Sequence, residues 1–306
     1  MITEPRSNYK GVWSRLSETY KSATLHVIGD VEEDDILNAA AHTISFLEET
    51  VGIRPDDTIL EIGCGIGRVG QALAPLCKEW IGCDVSPHML EHTRQRLAGF
   101  ENIRLVEISG FDLAPIPDNS VDLVYCTVVF MHLDEWERYK YVLEAGRVLK
   151  PGGRIFVDNF NLRSEEGWNI FETYRNAIPP IYRPPHMAKS STPQEIEVYL
   201  QRAGFQNTQV VESEAWVQGY AWKPTDGSMD AIISRESKTE PLQIETPAAP
   251  AVEEKEPTEN VQALKRYIEE LEQTVKIKNN HILYLENLVS RLENGRVMRI
   301  IRLLRK

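Results

Sequence analysis

The sequence has few cysteines, no long apolar run and no cluster of histidines. Its 306 residues include four cysteines, and no two of them stand at the C-x-x-C spacing that zinc and redox sites use. We therefore expect no metal site, and reduced thiols packed in the core of a cytoplasmic protein. The longest strongly apolar run, residues 123–133, is too short to span a bilayer. The first ten residues carry no apolar segment, so we expect no signal peptide.

Basic residues are also scarce over most of the chain, whose formal net charge is −12 at pH 7. Residues 225–260 carry nine acidic residues and three basic ones, whereas residues 261–306 carry five acidic and ten basic. The acidic excess of residues 1–224 would repel a phosphate backbone. We therefore do not expect nucleic acid as a substrate or partner.

Short apolar runs alternate with amphipathic stretches from residue 58 to about residue 205. This alternation predicts an α/β fold in which helices cover both faces of a mostly parallel, doubly wound sheet. Two further β-rich runs follow closely upon each other and predict a terminal hairpin, so one strand should run antiparallel. Apolar residues at helical spacing predict a helical N-terminal cap over residues 1–50. The predicted strands cover residues 58–62, 79–83, 103–108, 121–126, 154–160, 207–213 and 215–222.

The composition changes at residue 225, where the predicted globular domain of residues 1–224 ends. Residues 225–260 are rich in Pro, Ala, Glu and Thr, and we expect an acidic, disordered linker there. Residues 261–306 are predicted to form a helix, because apolar residues recur at alternating spacings of four and three over residues 264–292. This is the heptad pattern of a coiled coil. Its positions are Leu264, Ile268, Leu271, Val275, Lys278, Ile282, Leu285, Val289 and Leu292.

β-Branched residues at the a positions and leucines at the d positions favour a parallel two-stranded coil. We therefore expect a homodimer through residues 264–292, with a lone helix packed on the globular domain as the alternative. Basic and apolar residues alternate over residues 295–306, and a helix there would be amphipathic. Such an end suits an anionic surface at the inner face of a membrane, or an acidic protein partner. The alternative is a frayed extension of the coil.

The most specific local signal is the glycine-rich segment LEIGCGIGRVG at residues 60–70. It follows a predicted strand and opens a predicted helix, which is the position of loops that bind nucleotides. Gly63, Gly65 and Gly67 allow backbone angles and a close ligand approach that a Cβ would prevent. A tight turn without a ligand is the alternative for the loop alone.

Three further features flank this loop in sequence order. Glu61 stands two residues before Gly63, Asp84 ends the second predicted strand, and KPGG precedes the fifth. A carboxylate at the position of Asp84 can accept both hydroxyls of a ribose. With these features the chain resembles the class I methyltransferase family over roughly residues 55–222. The similar segments are EIGCGIG (motif I), CDVSPHML at 83–90 (ribose-binding strand end), and the fourth- and fifth-strand regions at 117–133 and 147–159.

The resemblance implies a Rossmann-like, seven-stranded sheet with an antiparallel last strand, and S-adenosylmethionine as the cofactor. Members of the family hold the methionine portion with backbone groups of motif I, the ribose with the strand-end carboxylate, and the adenine between apolar side chains. Many members also contact the adenine amino group with an acidic residue after the third strand. This chain has Gly110 at that place, so the role would fall to Asp112 or to a backbone group, with plain loop capping as the alternative for Asp112. The implied cofactor-binding residues are Glu61, Gly63, Cys64, Gly65, Gly67, Asp84, Val85, Met89, Phe111 and Asp112.

A methyltransferase mainly aligns its reactants and excludes water, but a hydroxyl acceptor also requires a base. His132 follows the fourth predicted strand at the carboxyl edge and is the first candidate, because a neutral imidazole suits neutral pH. His186, in the long insertion at 161–192, is the second candidate. The alternatives are a helix-entry histidine for His132 and a solvated loop histidine for His186.

The acceptor is expected to be a small molecule or a glycan. The succession of methyltransferase, coiled coil and basic end resembles bacterial enzymes of surface-polysaccharide synthesis, which suggests O-methylation. The segment after the fourth strand reads CTVV and lacks the [D/N/S]-P-P-[Y/F/W] motif of enzymes that methylate DNA amino groups. Two alternatives remain open: a coiled-coil scaffold with a vestigial cofactor domain, and an RNA methyltransferase that uses the basic tail.

Overall fold

The computed structural model describes residues 8–28, 33–177, 180, 183–184 and 186–236. The predicted coiled coil at 264–292, the basic end at 295–306 and most of the predicted linker lie outside these residues. The helices are α1 (Tyr9–Leu16), α2 (Tyr20–Ile28), α3 (Glu33–Thr50), α4 (Arg68–Leu73), α5 (Pro87–Arg96), α6 (Glu135–Val148), α7 (Glu165–Ala177), α8 (Pro193–Arg202) and α9 (Ser228–Glu236). The strands are β1 (Thr58–Ile62), β2 (Glu79–Asp84), β3 (Ile103–Glu107), β4 (Val121–Cys126), β5 (Leu149–Asn161), β6 (Ser190–Ser191), β7 (Gln206–Glu212) and β8 (Trp216–Trp222).

The strands form one sheet in the order β3-β2-β1-β4-β5-β8-β7. Strands β1 to β5 are parallel to one another, whereas β8 runs antiparallel to both β5 and β7. The predicted mostly parallel sheet with an antiparallel last strand is thus confirmed. The described sheet has eight strands rather than seven, because Ser190–Ser191 pairs with the end of β5. Two residues carry too little periodicity to be recognised as a strand in the sequence.

Helices cover both faces of the sheet, as the alternating pattern predicted. Successive side chains of a strand point to opposite faces, so Leu60 and Ile62 of β1 belong to one core and Ile59 belongs to the other. The first core includes buried residues of α6 and α8, and the second includes buried residues of α3, α4 and α5. Because β1 is buried on both faces, its carboxyl end lies at the centre of the domain.

The globular domain extends beyond the predicted boundary at residue 224. Helix α9 lies where the composition predicted a disordered linker from residue 225, so this boundary was placed too early. Met229 is buried, and a Cβ added at Gly146 of α6 would lie 2.7 Å from its sulfur, so the glycine permits close packing. One methionine and two isoleucines in an otherwise polar stretch are enough to hold this helix, but they hardly change the local composition.

The N-terminal cap consists of three helices. A side-chain oxygen of Asn8 accepts a hydrogen bond from the backbone N–H of Gly11 and caps α1. The end of α1 contacts α5, because the hydroxyls of Ser17 and Ser86 lie 2.7 Å apart. All four cysteines are buried and free, as expected. Within the described ranges, no helix combines the length and apolar character needed to cross a membrane.

Candidate active site

Two adjoining clefts open beyond the carboxyl ends of the parallel strands, the edge at which α/β sheets place ligand sites. The first cleft lies over β1, β2 and β4, and side chains of α1 and α2 form part of its wall. The second cleft lies beside it over β4, β5 and β8. The residues common to both clefts are His26, Val27, Arg68, Thr127, Val128 and His132.

The glycine loop forms one wall of the first cleft. Gly63 has a φ of +74°, and a Cβ built on it would lie 2.4 Å from Cγ2 of Val129. A side chain at residue 63 is therefore excluded by both the backbone conformation and the space. The backbone N–H groups of Gly63 and Cys64 donate to the carbonyl oxygen of Cys83, at 2.8 and 2.9 Å. These bonds hold the loop against the end of β2, where Asp84 lies.

Asp84 is a buried carboxyl that organises the loop. Its Oδ2 accepts a hydrogen bond from Gly65 N at 2.9 Å, and its Oδ1 accepts one from Ser86 N at 2.9 Å. Burial raises the pKa of Asp84 to about 6, while the bonds from Ser86 and Gly65 oppose the rise. Each carboxyl oxygen can accept a further hydrogen bond, so Asp84 can bind ligand hydroxyls while it supports the loop.

Glu61 lies at the floor of the first cleft in a chain of buried polar groups. Trp80 Nε1 donates to the hydroxyl of Tyr125 at 3.1 Å, and that hydroxyl donates to Oε2 of Glu61. Burial raises the pKa of Glu61 to about 8, whereas the Tyr125 bond and the charge of Arg68 oppose the rise. A ligand cation would favour the ionised carboxylate.

The far end of the first cleft is mainly apolar. Val85, Met89 and Ile108 line it together with Gly110, whose φ is +98°. Phe111 and Asp112, for which cofactor contacts were predicted, are not among the residues that line this cleft. Phe111 is 41% exposed and packs 6.3 Å from the ring of Tyr9. The carboxyl of Asp112 accepts hydrogen bonds from Ser109 Oγ and Ala114 N, so it caps its own loop, as the alternative reading of this residue proposed.

Tyr9 and Trp13 of α1 also line the first cleft, opposite the strand ends. Tyr9 is buried, and its hydroxyl accepts a hydrogen bond from Asp134 N at 3.2 Å. Burial raises the pKa of Tyr9 to about 12. The sequence offers no signal for Tyr9, because α1 does not belong to the sheet that carries the motifs.

His132 lies at the boundary between the clefts, in a short helical turn after β4. Its Nδ1 lies 2.8 Å from the carbonyl oxygen of His186, which can only accept, so Nδ1 carries the proton. In the neutral ring Nε2 is then the hydrogen-bond acceptor. Burial lowers the pKa of His132 to about 4, so the ring is neutral at pH 7. His186 thus contacts His132 through its backbone carbonyl oxygen. The centroid of the His186 ring lies 6.1 Å from that of the Trp13 ring.

The second cleft has aromatic walls and a polar floor. Phe156, Asp158 and Phe160 alternate along one face of β5 and line it, and the rings of Phe160 and Trp216 stack at 4.8 Å. Asp158 is paired with Gln218 across β5 and β8, which places their side chains next to each other. Burial raises the pKa of Asp158 to about 7, whereas a hydrogen bond from Val128 N opposes the rise.

The first cleft fits S-adenosylmethionine part by part. The carboxyl of Asp84 suits ribose hydroxyls, and Val85, Met89 and Ile108 suit the faces of an adenine ring. Glu61 suits the ammonium group of a methionine, and the backbone of the loop at Gly63 lines the cleft. Of the predicted cofactor residues, the structure brings Glu61, Gly63, Cys64, Gly65, Asp84, Val85 and Met89 into the cleft. Gly67, with φ of +76°, instead starts α4 against Thr93.

Comparison with known proteins agrees with this geometry. Residues 60–157 match the sequence profile of a methyltransferase domain. A demethylmenaquinone methyltransferase of Tropheryma whipplei is 29% identical over 182 residues, which cover 52% of this chain and 70% of the relative. A human thiol S-methyltransferase is 26% identical over 168 residues, which cover 54% of this chain and 67% of the relative.

A similar fold occurs in magnesium protoporphyrin IX methyltransferase from Synechocystis, solved with bound S-adenosylhomocysteine. The TM-score is 0.52 at 17% identity, over 69% of this chain and 98% of that one. The fold and the first cleft therefore define a Rossmann-like methyltransferase domain. The protein is an enzyme, a methyltransferase, and its first cleft suits S-adenosylmethionine as the cofactor.

Proposed function

We propose that this enzyme methylates an oxygen atom of a small, ring-containing acceptor bound in the second cleft. The observation that carries the proposal is the position of His132, which lines both clefts and whose Nε2 is proton-free because Nδ1 donates to the carbonyl oxygen of His186. When bound, S-adenosylmethionine supplies a methyl group on a positively charged sulfur. The residues common to both clefts lie where that group and an acceptor would meet.

His132 acts on the acceptor hydroxyl in this proposal. Its Nε2 accepts the hydroxyl proton as the oxygen becomes methylated, and the carbonyl oxygen of His186 holds the ring in the required tautomer. The low pKa keeps Nε2 unprotonated throughout the neutral range. His186 is therefore a positioning residue rather than a second base, and Trp13 packs at 4.8 Å against the imidazole and limits water access.

The walls of the second cleft favour a flat or ring-shaped acceptor. Phe156, Phe160 and Trp216 offer faces against which a phenol ring or the C–H face of a sugar can stack. A phenolic molecule or a glycan unit both meet these requirements. An intact first cleft supports turnover rather than a vestigial scaffold. The chain is acidic as a whole and the second cleft is partly apolar, which does not suit an RNA chain.

Methylation of a ring carbon is the second candidate. It is supported by the relative named as a demethylmenaquinone methyltransferase, together with the aromatic walls of the second cleft, which suit an apolar ring system. The human relative named as a thiol S-methyltransferase indicates that similar chains also serve sulfur acceptors. His132 can accept the proton of a phenolic hydroxyl whether the methyl group is transferred to oxygen or to a ring carbon.

A screen with methyl-labelled S-adenosylmethionine tests the proposal. We expect the full-length enzyme to label phenols or sugars, and product analysis by mass spectrometry and NMR to place the methyl group on oxygen. Transfer only to carbon would replace the leading proposal by the second candidate, and transfer only to sulfur or nitrogen would exclude both. His132→Ala should abolish most turnover but retain cofactor binding.

We also propose that residues 264–292 pair two copies of the enzyme and that residues 295–306 bind an anionic surface or an acidic partner. Both proposals rest on the sequence pattern alone, because these residues lie outside the described ranges. Analytical ultracentrifugation should show a dimer for the full chain and a monomer after removal of residues 261–306. A dimer that persists would refute the first proposal. Sedimentation with anionic vesicles, before and after removal of residues 295–306, tests the second.

A further inference from the structure

Arg68 is a buried cation without a carboxylate partner in the described part of the chain. Its side chain is 6% exposed at the start of α4, and its one side-chain hydrogen bond there is a long one, from an Nη to Oγ1 of Thr43 at 3.4 Å. Other buried arginines are paired: Arg138 lies 2.9 Å from Glu195, and Arg154 lies 2.5 Å from Asp57. An ionised guanidinium removed from water needs a counter-ion, so Arg68 requires an anion from another source.

Two acids that sense the charge of Arg68 do not supply that anion in full in the ligand-free protein. Glu61 and Asp158 interact with Arg68 electrostatically, but neither forms an ion pair with it within the described ranges. Burial raises the pKa of Glu61 to about 8 and that of Asp158 to about 7, so both carboxyls are largely or partly neutral at pH 7. These two carboxyls therefore balance the charge of Arg68 only in part at the junction of the clefts.

Contacts of Arg68 direct it toward the second cleft. Thr43, which accepts its hydrogen bond, lines the second cleft and not the first. Asp158 and His42 line the same cleft, whereas the apolar adenine end of the first cleft lies away from it. A planar guanidinium is suited to bind a carboxylate through two parallel hydrogen bonds.

From these contacts we propose that the acceptor is an organic anion whose carboxylate pairs with Arg68 in the second cleft. This inference rests on the proposed function, since it names the chemical class of that acceptor. The remainder of the cleft defines the molecule further. Oε1 of Gln218 and Oγ1 of Thr127 are buried and lack a hydrogen-bond partner in the described structure, and both residues line the cleft. Ring hydroxyls would supply the missing partners, so a hydroxylated aromatic carboxylic acid meets every requirement.

Binding to the enzyme loaded with S-adenosylhomocysteine tests the proposal without turnover. Meta- and para-hydroxybenzoate and their carboxamides are titrated by calorimetry into the full-length protein. We expect at least one acid to bind about tenfold or more tightly than its amide, as a charge-assisted bidentate pair implies. Arg68→Gln should abolish this preference and Arg68→Lys should retain part of it. Arg94→Gln, at an exposed arginine of α5, is the matched control and should change nothing.

Three outcomes would overturn the proposal. The first is equal binding of acids and amides, and the second is no binding of any acid at millimolar concentration. In the third, Arg68→Gln weakens the binding of S-adenosylhomocysteine but does not change the binding of methylthioadenosine. Methylthioadenosine lacks the amino-acid carboxylate. That result would assign Arg68 to the cofactor instead. Acids that bind through Arg68 but are never methylated would leave the anion site intact and refute only the proposed reaction.

Discussion

The backbone N–H of Val128 donates a hydrogen bond of 2.7 Å to Oδ1 of Asp158, and this bond holds Val128 in a left-handed conformation with φ of +62°. A β-branched residue rarely adopts this conformation, which costs roughly 1–2 kcal/mol. Val128 lines both clefts. The tether from β5 therefore maintains a strained segment at the point where cofactor and acceptor sites meet.

A double-mutant cycle on this pair should show energetic coupling. Asp158→Ala is expected to lower the free energy of unfolding by roughly 1–3 kcal/mol, because it leaves the partly buried N–H of Val128 without an acceptor. In a Val128→Gly background no strain is released when the bond is lost, so the same substitution should cost more, with a coupling of about 1 kcal/mol. Urea unfolding of the four proteins measures the cycle. Strictly additive effects would show that the tether does not hold the strain.

Replacement of His132 should affect turnover far more than binding. His132→Ala is expected to lower kcat by roughly 100-fold or more, the usual contribution of a general base. Calorimetry should show unchanged binding of S-adenosylhomocysteine, because the loop and Asp84 hold the cofactor. Since burial lowers the pKa of His132 to about 4, kcat of the wild type should fall only as the pH approaches that value. A control, His88→Ala on the exposed face of α5, should behave as the wild type. An acidic limb near the ordinary histidine pKa would argue against His132.

Asp84 and Asp112 give a matched pair for the cofactor site. Asp84→Asn should weaken binding of S-adenosylhomocysteine by roughly 10- to 100-fold, because it removes a charged acceptor for ligand hydroxyls and disturbs the bond to Gly65. Asp112→Asn should leave the affinity unchanged, since Asp112 caps its own loop. Calorimetric titration of both variants decides the question. A loss of affinity in Asp112→Asn would instead support the predicted contact between Asp112 and the adenine.

The residues of the first cleft could be predicted from the order of motifs in the sequence, because these residues belong to consecutive βα units. The loop at Gly63 and the carboxyl of Asp84 each follow a strand, and parallel strands bring such ends to one edge. Phe111 and Asp112 do not line the first cleft, because the direction of side chains in the loop after β3 depends on local hydrogen bonds rather than on residue type. Their contact with the cofactor stays a prediction. Tyr9 and Gln218 were missed because they reach the clefts from α1 and from the antiparallel strand β8, which carry no motif.

The stability of the ligand-free enzyme should decrease as the pH rises, and Glu61 should cause a defined part of that decrease. Burial raises the pKa of Glu61 from 4.5 to about 8, so between these values the folded protein retains a proton that the unfolded chain has released. The folded state then binds more protons, and the free energy of unfolding falls with pH, by up to about 1.4 kcal/mol per pH unit for one group. Above about pH 8 this contribution is constant.

Glu61→Gln isolates this contribution, because glutamine keeps an oxygen that accepts the Tyr125 hydrogen bond but does not titrate. Asp84 and Asp158 have raised pKa values as well, but they are present in both proteins and their effects cancel in the difference. Urea unfolding from pH 5 to 8.5 should show the wild type losing stability relative to Glu61→Gln as the pH rises. A constant difference across this range would mean that Glu61 is ionised in the folded protein, and that Tyr125 and Arg68 offset the effect of burial.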